Sequence, residues 1–484
     1  MSNTFSITQM SLRCLIASIL ALFVSSVSTA QKVPSVIVKS VFVEGNIKTK
    51  TRIITRELTF AIGDTIPLSK FGKMLEDNRL RVMNTNLFNV VQLNVKDWKS
   101  GNLPVDEVDI VITVIENFFV YPVPIFSLAD RNFNVWWKEQ KHALSRTNYG
   151  FSLMHINTTG QRDPFSLTAQ FGYTPRVGLS YELPFVNKKQ TVGLFFNSNY
   201  GVNRELAVKT ENNKLIFYRN SEKFIFKNVS LTVGATITPG LIQRHVVALT
   251  YSQQTIDTSV VSQNQDYYLD GRTQQRYFTL NYSFSHDTRD MRPYPLKGHL
   301  AGITLTKSGL FENDDVNALT LNARWSQFGK IAPRWSYESV AKARVGLIRS
   351  PQPYTFTQGL GYNADYMRGY EYYVVDGLDF GILKNSLHFE LFDKTFDLSK
   401  YLTWKILQGF RSLPLKLYLS GNFDVGYAQN TTELSIKNPL NNRILRSGGV
   451  GLDIVAYYSW VWQIQYSWND LGEKGVFFHY KAGF

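Results

Sequence analysis

Two hydrophobic periods divide the chain. Between residues 36 and 118 strand and helix patterns mix. Val36–Phe42 reads as an apolar strand closed by a Gly45-Asn46 turn, and Lys48–Phe60 has helical spacing, with Ile53, Ile54 and Leu58 on one face. Gly63-Asp64 breaks that helix, and Leu68–Leu87 predicts a second one through Phe71, Leu75, Leu80, Val82 and Met83. Asn89–Asp97 alternates as a strand. Val105–Glu116 alternates again, with Val108, Ile110, Ile112 and Val114 on one side. The order β-α-α-β-β in about 80 residues makes one small helix-on-sheet domain.

From about residue 146 the period becomes two and stays there. In Val461–Trp468 the apolar set is Trp462, Ile464, Tyr466 and Trp468, against polar Gln463, Gln465 and Ser467. Val476, Phe478, Tyr480, Ala482 and the terminal Phe484 share one face of the last segment. Leu415, Leu417, Leu419 and Phe423 oppose Lys416, Tyr418, Ser420, Asn422 and Asp424. One greasy and one wet face per strand describes a membrane-spanning β-barrel. A soluble sandwich also alternates, but does not carry Trp, Tyr and Ile so persistently on an exposed face. About 340 residues suit about 16 tilted strands with turns and outer loops. The expected fold is therefore mainly β: a 16-stranded antiparallel transmembrane barrel over residues 146–484, preceded by the α+β domain at 36–118. Residues 119–145, with Pro122, Pro124, Trp136 and Trp137, read as a connecting segment.

Composition agrees with this picture. The 484 residues are 44% hydrophobic and 14% aromatic, yet the mean hydropathy is only −0.16, as alternating faces require. Arg13, the apolar run Leu15–Val24 and Ser28-Thr29-Ala30 predict a cleaved export signal over residues 1–30. The only cysteine, Cys14, lies within it, which removes disulfides, thiolate metal sites and cysteine nucleophiles from the remainder. Residues 31–118 carry 12 Lys/Arg against 10 Asp/Glu, and the rest after them 39 against 28, so the positive charge sits in the barrel. With an export signal, a cationic lumen or basic loops near anionic lipid explain it better than nucleic acid. The seven histidines show no metal-binding spacing, and neither a GxSxG elbow nor a phosphate-cradling GxxxxGK occurs, so no enzyme activity, metal or cofactor is expected.

One loop stands apart. About 30 residues separate a strand ending near Arg349 from one beginning near Phe380, and loops of that length are usually functional or disordered. This one is too aromatic for disorder. At its centre Met367-Arg368-Gly369-Tyr370 can form a tight tip that projects Arg368 into the lumen. A buried guanidinium needs a carboxylate. Strand parity offers Asp424, on the polar face of its strand, and Glu390, which falls with Ser386 and His388.

These residues resemble the superfamily of outer-membrane protein assembly and secretion barrels typified by BamA and TamA, also called the bacterial surface antigen family. There a signal peptide precedes one or more POTRA domains of order β-α-α-β-β and a 16-stranded barrel. Val41–Asn46, with Gly45, resembles the opening POTRA strand and turn, and Asn86–Val90 the end of its second helix. Met367 to Tyr370 matches the family's loop motif [V/I]-R-G-[F/Y], with methionine in place of the branched residue. Phe423-Asp424-Val425-Gly426 matches F-x-D-x-G, and Asp287–Asp290 with Tyr294–Gly298 resembles D-x-R-D…P-x-x-G. Gly449–Leu452 and the terminal Phe484 fit the closing strands. Only one POTRA domain can be placed, where assembly barrels usually have several and two-partner secretion transporters two.

The resemblance implies a protein of the bacterial outer membrane, with its POTRA domain in the periplasm, that inserts other proteins without ATP. The implied partners are unfolded outer-membrane or exported clients, outer-membrane lipids, and accessory lipoproteins or periplasmic chaperones. Arg368 would be the loop arginine, Asp424 its lumenal partner and Glu390 a second acceptor. The Asn89–Asp97 edge would take a client strand. A seam between a first strand near Arg146–Ile156 and the last, Val476–Phe484, would open sideways, with Phe478, Tyr480 and Phe484 at that seam and in the terminal recognition signal. A dedicated two-partner secretion pore is the alternative, and a passive porin a third.

Overall fold

A computed structural model describes residues 34–99, 105–187, 189–240, 242–362, 364–401, 412–430, 438–457 and 460–482. The export signal and Phe484 lie outside them. Contacts divide the chain into a unit ending at Phe118 and a second from Phe119 to Phe484.

The first unit contains β1 (Ser35–Glu44), α1 (Thr51–Thr55), β2 (Thr65–Pro67), α2 (Leu68–Met83), β3 (Phe88–Lys99) and β4 (Asp106–Glu116). Its sheet runs β2-β1-β4-β3, with β1 and β4 parallel and the other pairs antiparallel. The period-two set of β4, Val108, Ile110, Ile112 and Val114, is buried against the helices. Both helices are shorter than their patterns suggest. The first helix ends at Thr55, and beyond it Asn78, fully buried on α2, accepts from the Thr59 amide at 2.6 Å and donates to its hydroxyl at 2.9 Å. On α2 the buried line is Phe71, Asn78 and Val82, while Leu80 is exposed. Nine residues at about 100° each place Leu80 half a turn away from Phe71. Gly45 (φ +88°) closes the β1 turn, where a Cβ would lie 2.0 Å from the Val114 carbonyl oxygen. β3 is the long strand at the sheet's edge.

The second unit is a 16-stranded antiparallel sheet in which every strand neighbours the previous wall strand. Outward Leu383, Leu387, Leu419 and Phe423 are exposed, while inward Ser386, His388, Ser420 and Asp424 are buried, as the alternation requires. The sheet begins earlier than expected. Val120–Leu128, assigned from sequence to the connecting segment, is the first wall strand, paired from Val120↔His155 to Leu128↔Thr147. Pro122 and Pro124 hide it, because proline cannot donate to a ladder and lowers any strand reading. It is tolerated here because the strand is an edge. The Phe119 oxygen and the Ala129 amide bond to Ile156 and Arg146 at the two ends of the adjacent strand, so odd residues face the ladder and both prolines face away from it. The last strand is Lys474–Ala482. Among the described residues no ladder joins it to the first strand.

Candidate functional site

The loop that connects the Trp335–Gly346 strand to the Asp379–Asp397 strand folds into the barrel interior. Gly369 (φ +82°) makes the turn at its tip, with the Trp468 carbonyl oxygen 3.0 Å from where a Cβ would stand. Met367 packs against Gly426, where a Cβ would meet the Met367 sulfur at 2.2 Å, so the glycine of the F-x-D-x-G segment makes room for the loop. On the other side Tyr370 donates to the Asp470 carboxylate, and Asn469 donates from its side-chain Nδ2 to the Gly369 carbonyl at 2.8 Å.

Between these anchors Arg368 is buried, 7% exposed, beside Asp424 at 1%. Arg368 Nε donates to Asp424 Oδ2 at 2.9 Å and Oδ1 at 3.1 Å, Nη2 also meets Oδ1, and the Arg368 backbone amide adds a bond to Oδ2 at 3.1 Å. The remaining guanidinium protons go to the Ser386 hydroxyl (2.8 Å), Asn422 Oδ1 (2.5 Å) and the Asn385 carbonyl (3.1 Å). A buried guanidinium costs several kcal/mol to desolvate, and multidentate bonding of this kind offsets that cost.

Glu390 does not join this cluster. It lies on the inward parity but at the wrong height: Asp424 pairs across the ladder with Lys384, and Glu390 with Tyr418. Six residues along a strand are about 20 Å. Glu390 instead accepts from the Tyr418 hydroxyl at 3.4 Å, beside a register shift between Glu390 and Phe392. Ser386, Asn385 and Asn422 fill the place proposed for it.

The D-x-R-D…P-x-x-G segment forms a turn between two wall strands. Arg289 grips Asp287 with two bonds (2.8 and 2.9 Å), and Asp290 accepts from the Leu296 amide at 3.0 Å. It carries Tyr294 inward to Asp453 (2.9 Å) and His388 (3.0 Å), a buried group that sequence reasoning passed over. Tyr294, His388 and Asp453 come from three separate segments, and only the inward parity of the last two hinted at it.

The terminal strands meet differently from all other neighbours. Phe478 and Tyr480 stand exposed on the outer face of the last strand, with Phe477 and His479 turned inward. Where a neighbouring strand would pair, one side chain stands instead. Asn134 donates from Nδ2 to the Val476 carbonyl at 2.7 Å and accepts at Oδ1 from the Phe478 amide at 2.9 Å. Its segment is held by the long loop, since Arg131 donates to the carbonyls of Gly361 (3.1 Å) and Tyr373 (2.6 Å), and Asn132 to that of Glu371 (2.9 Å). A cavity of about 1500 Å³ opens at this seam, lined by Phe133, Trp137, Tyr366, Trp462 and Phe478 among others.

Two family models match the sequence: the Omp85 superfamily domain over residues 157–379, and the POTRA family, described as a surface antigen variable number repeat, over 36–117. The chain belongs to the Omp85 superfamily. Among solved structures, this Omp85 chain is similar to BamA from Haemophilus ducreyi lacking POTRA domains 1–3, at TM-score 0.62 and 14% identity over 93% of this chain and 85% of that one. It is also similar to CdiB from Acinetobacter baumannii, at TM-score 0.51 and 10% identity over 92% and 73%. At such identities the likeness concerns the fold. No curated protein sequence matches. The family and fold are those of an outer-membrane β-barrel with a POTRA domain.

Proposed function

We propose that this Omp85 chain assembles or inserts other proteins into the bacterial outer membrane, taking clients at its periplasmic POTRA domain and releasing them through the barrel seam. The observation that carries this reading is the seam itself: a 16-stranded wall whose first and last strands share no ladder among the described residues. An unpaired strand edge templates an extended chain by β-augmentation, and both the seam and the POTRA strand β3 present such edges. The partners are then unfolded outer-membrane proteins, the surrounding lipids, and the accessory lipoproteins or chaperones that deliver clients. Arg368 and Asp424 would hold the long loop, and through it the wall, in working shape.

Dedicated export of one substrate through the interior competes with this reading. The buried loop tip stands against it, since Arg368, Met367 and Tyr370 fill the path. The same obstruction argues against a passive pore. Depletion of the protein followed by quantitative outer-membrane proteomics separates the readings. Loss of many barrel proteins supports assembly, and loss of one exported protein overturns it. Arg368→Ala should impair client insertion while leaving a folded barrel; undiminished insertion would remove the proposed role of the loop.

A further inference from the structure

The two edges of the seam are chemically unequal. On the first wall strand the residues whose backbone faces the seam are Val120, Pro122, Pro124, Phe126 and Leu128, and two of these five have no N–H. On the last strand the Asn469 amide bonds to the Glu473 carbonyl, so odd residues face the previous strand and even ones the seam. The seam-facing set there is Lys474, Val476, Phe478, Tyr480 and Ala482, each with its N–H. A full antiparallel ladder across the seam is thus barred from the first strand and open to the last.

Asn134 already uses that opening. A primary carboxamide presents an N–H donor and a C=O acceptor side by side, and its two bonds fall on the Val476 carbonyl and the Phe478 amide, seam-facing groups that two successive bonded residues of an antiparallel neighbour would engage. Asn134 is 8% exposed, and the adjacent Phe133 ring packs edge-on against Phe478 at 5.7 Å. One side chain therefore fills the place between two successive bonded positions of a missing strand.

From this we infer that the last strand, Lys474–Ala482, is the edge that accepts an incoming extended strand, that Pro122 and Pro124 keep the first strand from zipping onto it, and that Asn134 is a removable clasp. The incoming strand displaces Asn134 and takes over its two hydrogen bonds, so the exchange conserves bonding at Val476 and Phe478. It then gains the further seam-facing groups at Tyr480 and Lys474. A strand offered to the first strand meets two missing donors. This assignment rests on the insertion reading for its client, but the clasp itself can be tested without one.

Hydrogen exchange of the full-length protein in lipid nanodiscs reads the clasp directly. Asn134→Leu keeps approximate shape and removes both bonds; the Phe478 amide should exchange roughly tenfold faster, with the strand before it unchanged. Pro122→Ala with Pro124→Ala should slow exchange at the even positions of the last strand, because the first strand can then pair there. Unchanged exchange in both variants overturns the clasp whatever the protein's client. For the edge assignment, single cysteines at Val120, Phe126, Val476 or Tyr480 are challenged with a cysteine-bearing, strand-forming peptide from an outer-membrane protein. Disulfides confined to Val476 and Tyr480, and increased by Asn134→Leu, support the assignment. Disulfides to Val120 and Phe126 overturn it. If the clasp responds in exchange but no peptide is captured at any position, the insertion reading and the edge assignment both fall while the clasp stands.

Discussion

The wall strands on either side of Asp424 and the two strands at the seam are built from the same alternating sequence, yet they are joined by opposite means. Ser412–Gln429 is laddered along its length to Asp379–Asp397 and on its other side to Leu445–Ala456. The loop tip is riveted to that wall from inside by Arg368. At the seam the neighbours share no ladder among the described residues, and one carboxamide spans a position where backbone pairing stops. Strength in this barrel is therefore local. It concentrates where a buried charge needs many partners, and it is absent where two prolines withhold donors. The two regions are also in physical contact, because the loop that carries Arg368 also holds Arg131 and Asn132, three and two residues before the clasp.

That connection yields the largest expected effect. Arg368→Ala leaves Asp424 buried without its counter-charge and should cost about 3–5 kcal/mol of loop anchoring, read as protease cleavage within residues 350–378 and faster exchange at Phe478. Arg368→Met with Asp424→Leu should recover much of the anchoring, since apolar replacement of a buried pair is often neutral. Failure to recover would mean that Ser386 and Asn422 orient the loop more than the charge pair does. Next comes Gly426→Ala, whose methyl group collides with the Met367 sulfur; overpacking of about 1–3 kcal/mol is expected in heat-modifiability assays. Because methionine is flexible, the lower end of that range would show that the loop tip yields while the wall does not. Tyr370→Phe removes a bond to the Asp470 carboxylate and should cost about 1.5 kcal/mol, with exchange rising at the Asn469–Glu473 turn but not at Asp424.

The smallest effect lies far from either region. Arg79 bonds Glu76 at 2.7 Å on the exposed face of α2 and holds its carboxyl below the ordinary value of 4.5. Such a depressed carboxylate adds stability above its unfolded value, and that stability is lost as pH falls through the folded value. Glu76→Gln should leave α2 exchange unchanged at pH 7 within error and remove only its acid-side slope, because exposed pairs contribute little. A large change at pH 7 would show that the POTRA unit depends on surface charge as the barrel interior depends on buried charge.

Much of this was legible in residues alone. The period-two pattern located the wall, and the buried face of β4 came out residue by residue. Parity put Asp424 on the inward face, because side-chain direction in a strand alternates strictly. Parity carries no information about height, so it left Glu390 eligible as a second acceptor, although Glu390 stands about 20 Å away along the strand. The first helix stops at Thr55, short of its pattern, and the chain beyond it is held at Thr59 by a side chain from a distant position, Asn78.

By itself, then, the sequence determined the two units, the alternating wall, the glycine turn that aims Arg368 and the carboxylate face that receives it. All of these follow from periodicity and backbone preference, which act over a few residues. Tertiary structure alone decided that the proline-bearing segment after Phe119 is the first wall strand, that Ser386 and Asn422 rather than Glu390 complete the arginine's bonding, and that Asn134 stands in for a missing strand at the seam. Each of those depends on which groups are brought level across the sheet, over separations of up to 344 residues between Asn134 and Phe478. Local pattern fixes which way a side chain points, and only assembly of the whole wall fixes what it meets there.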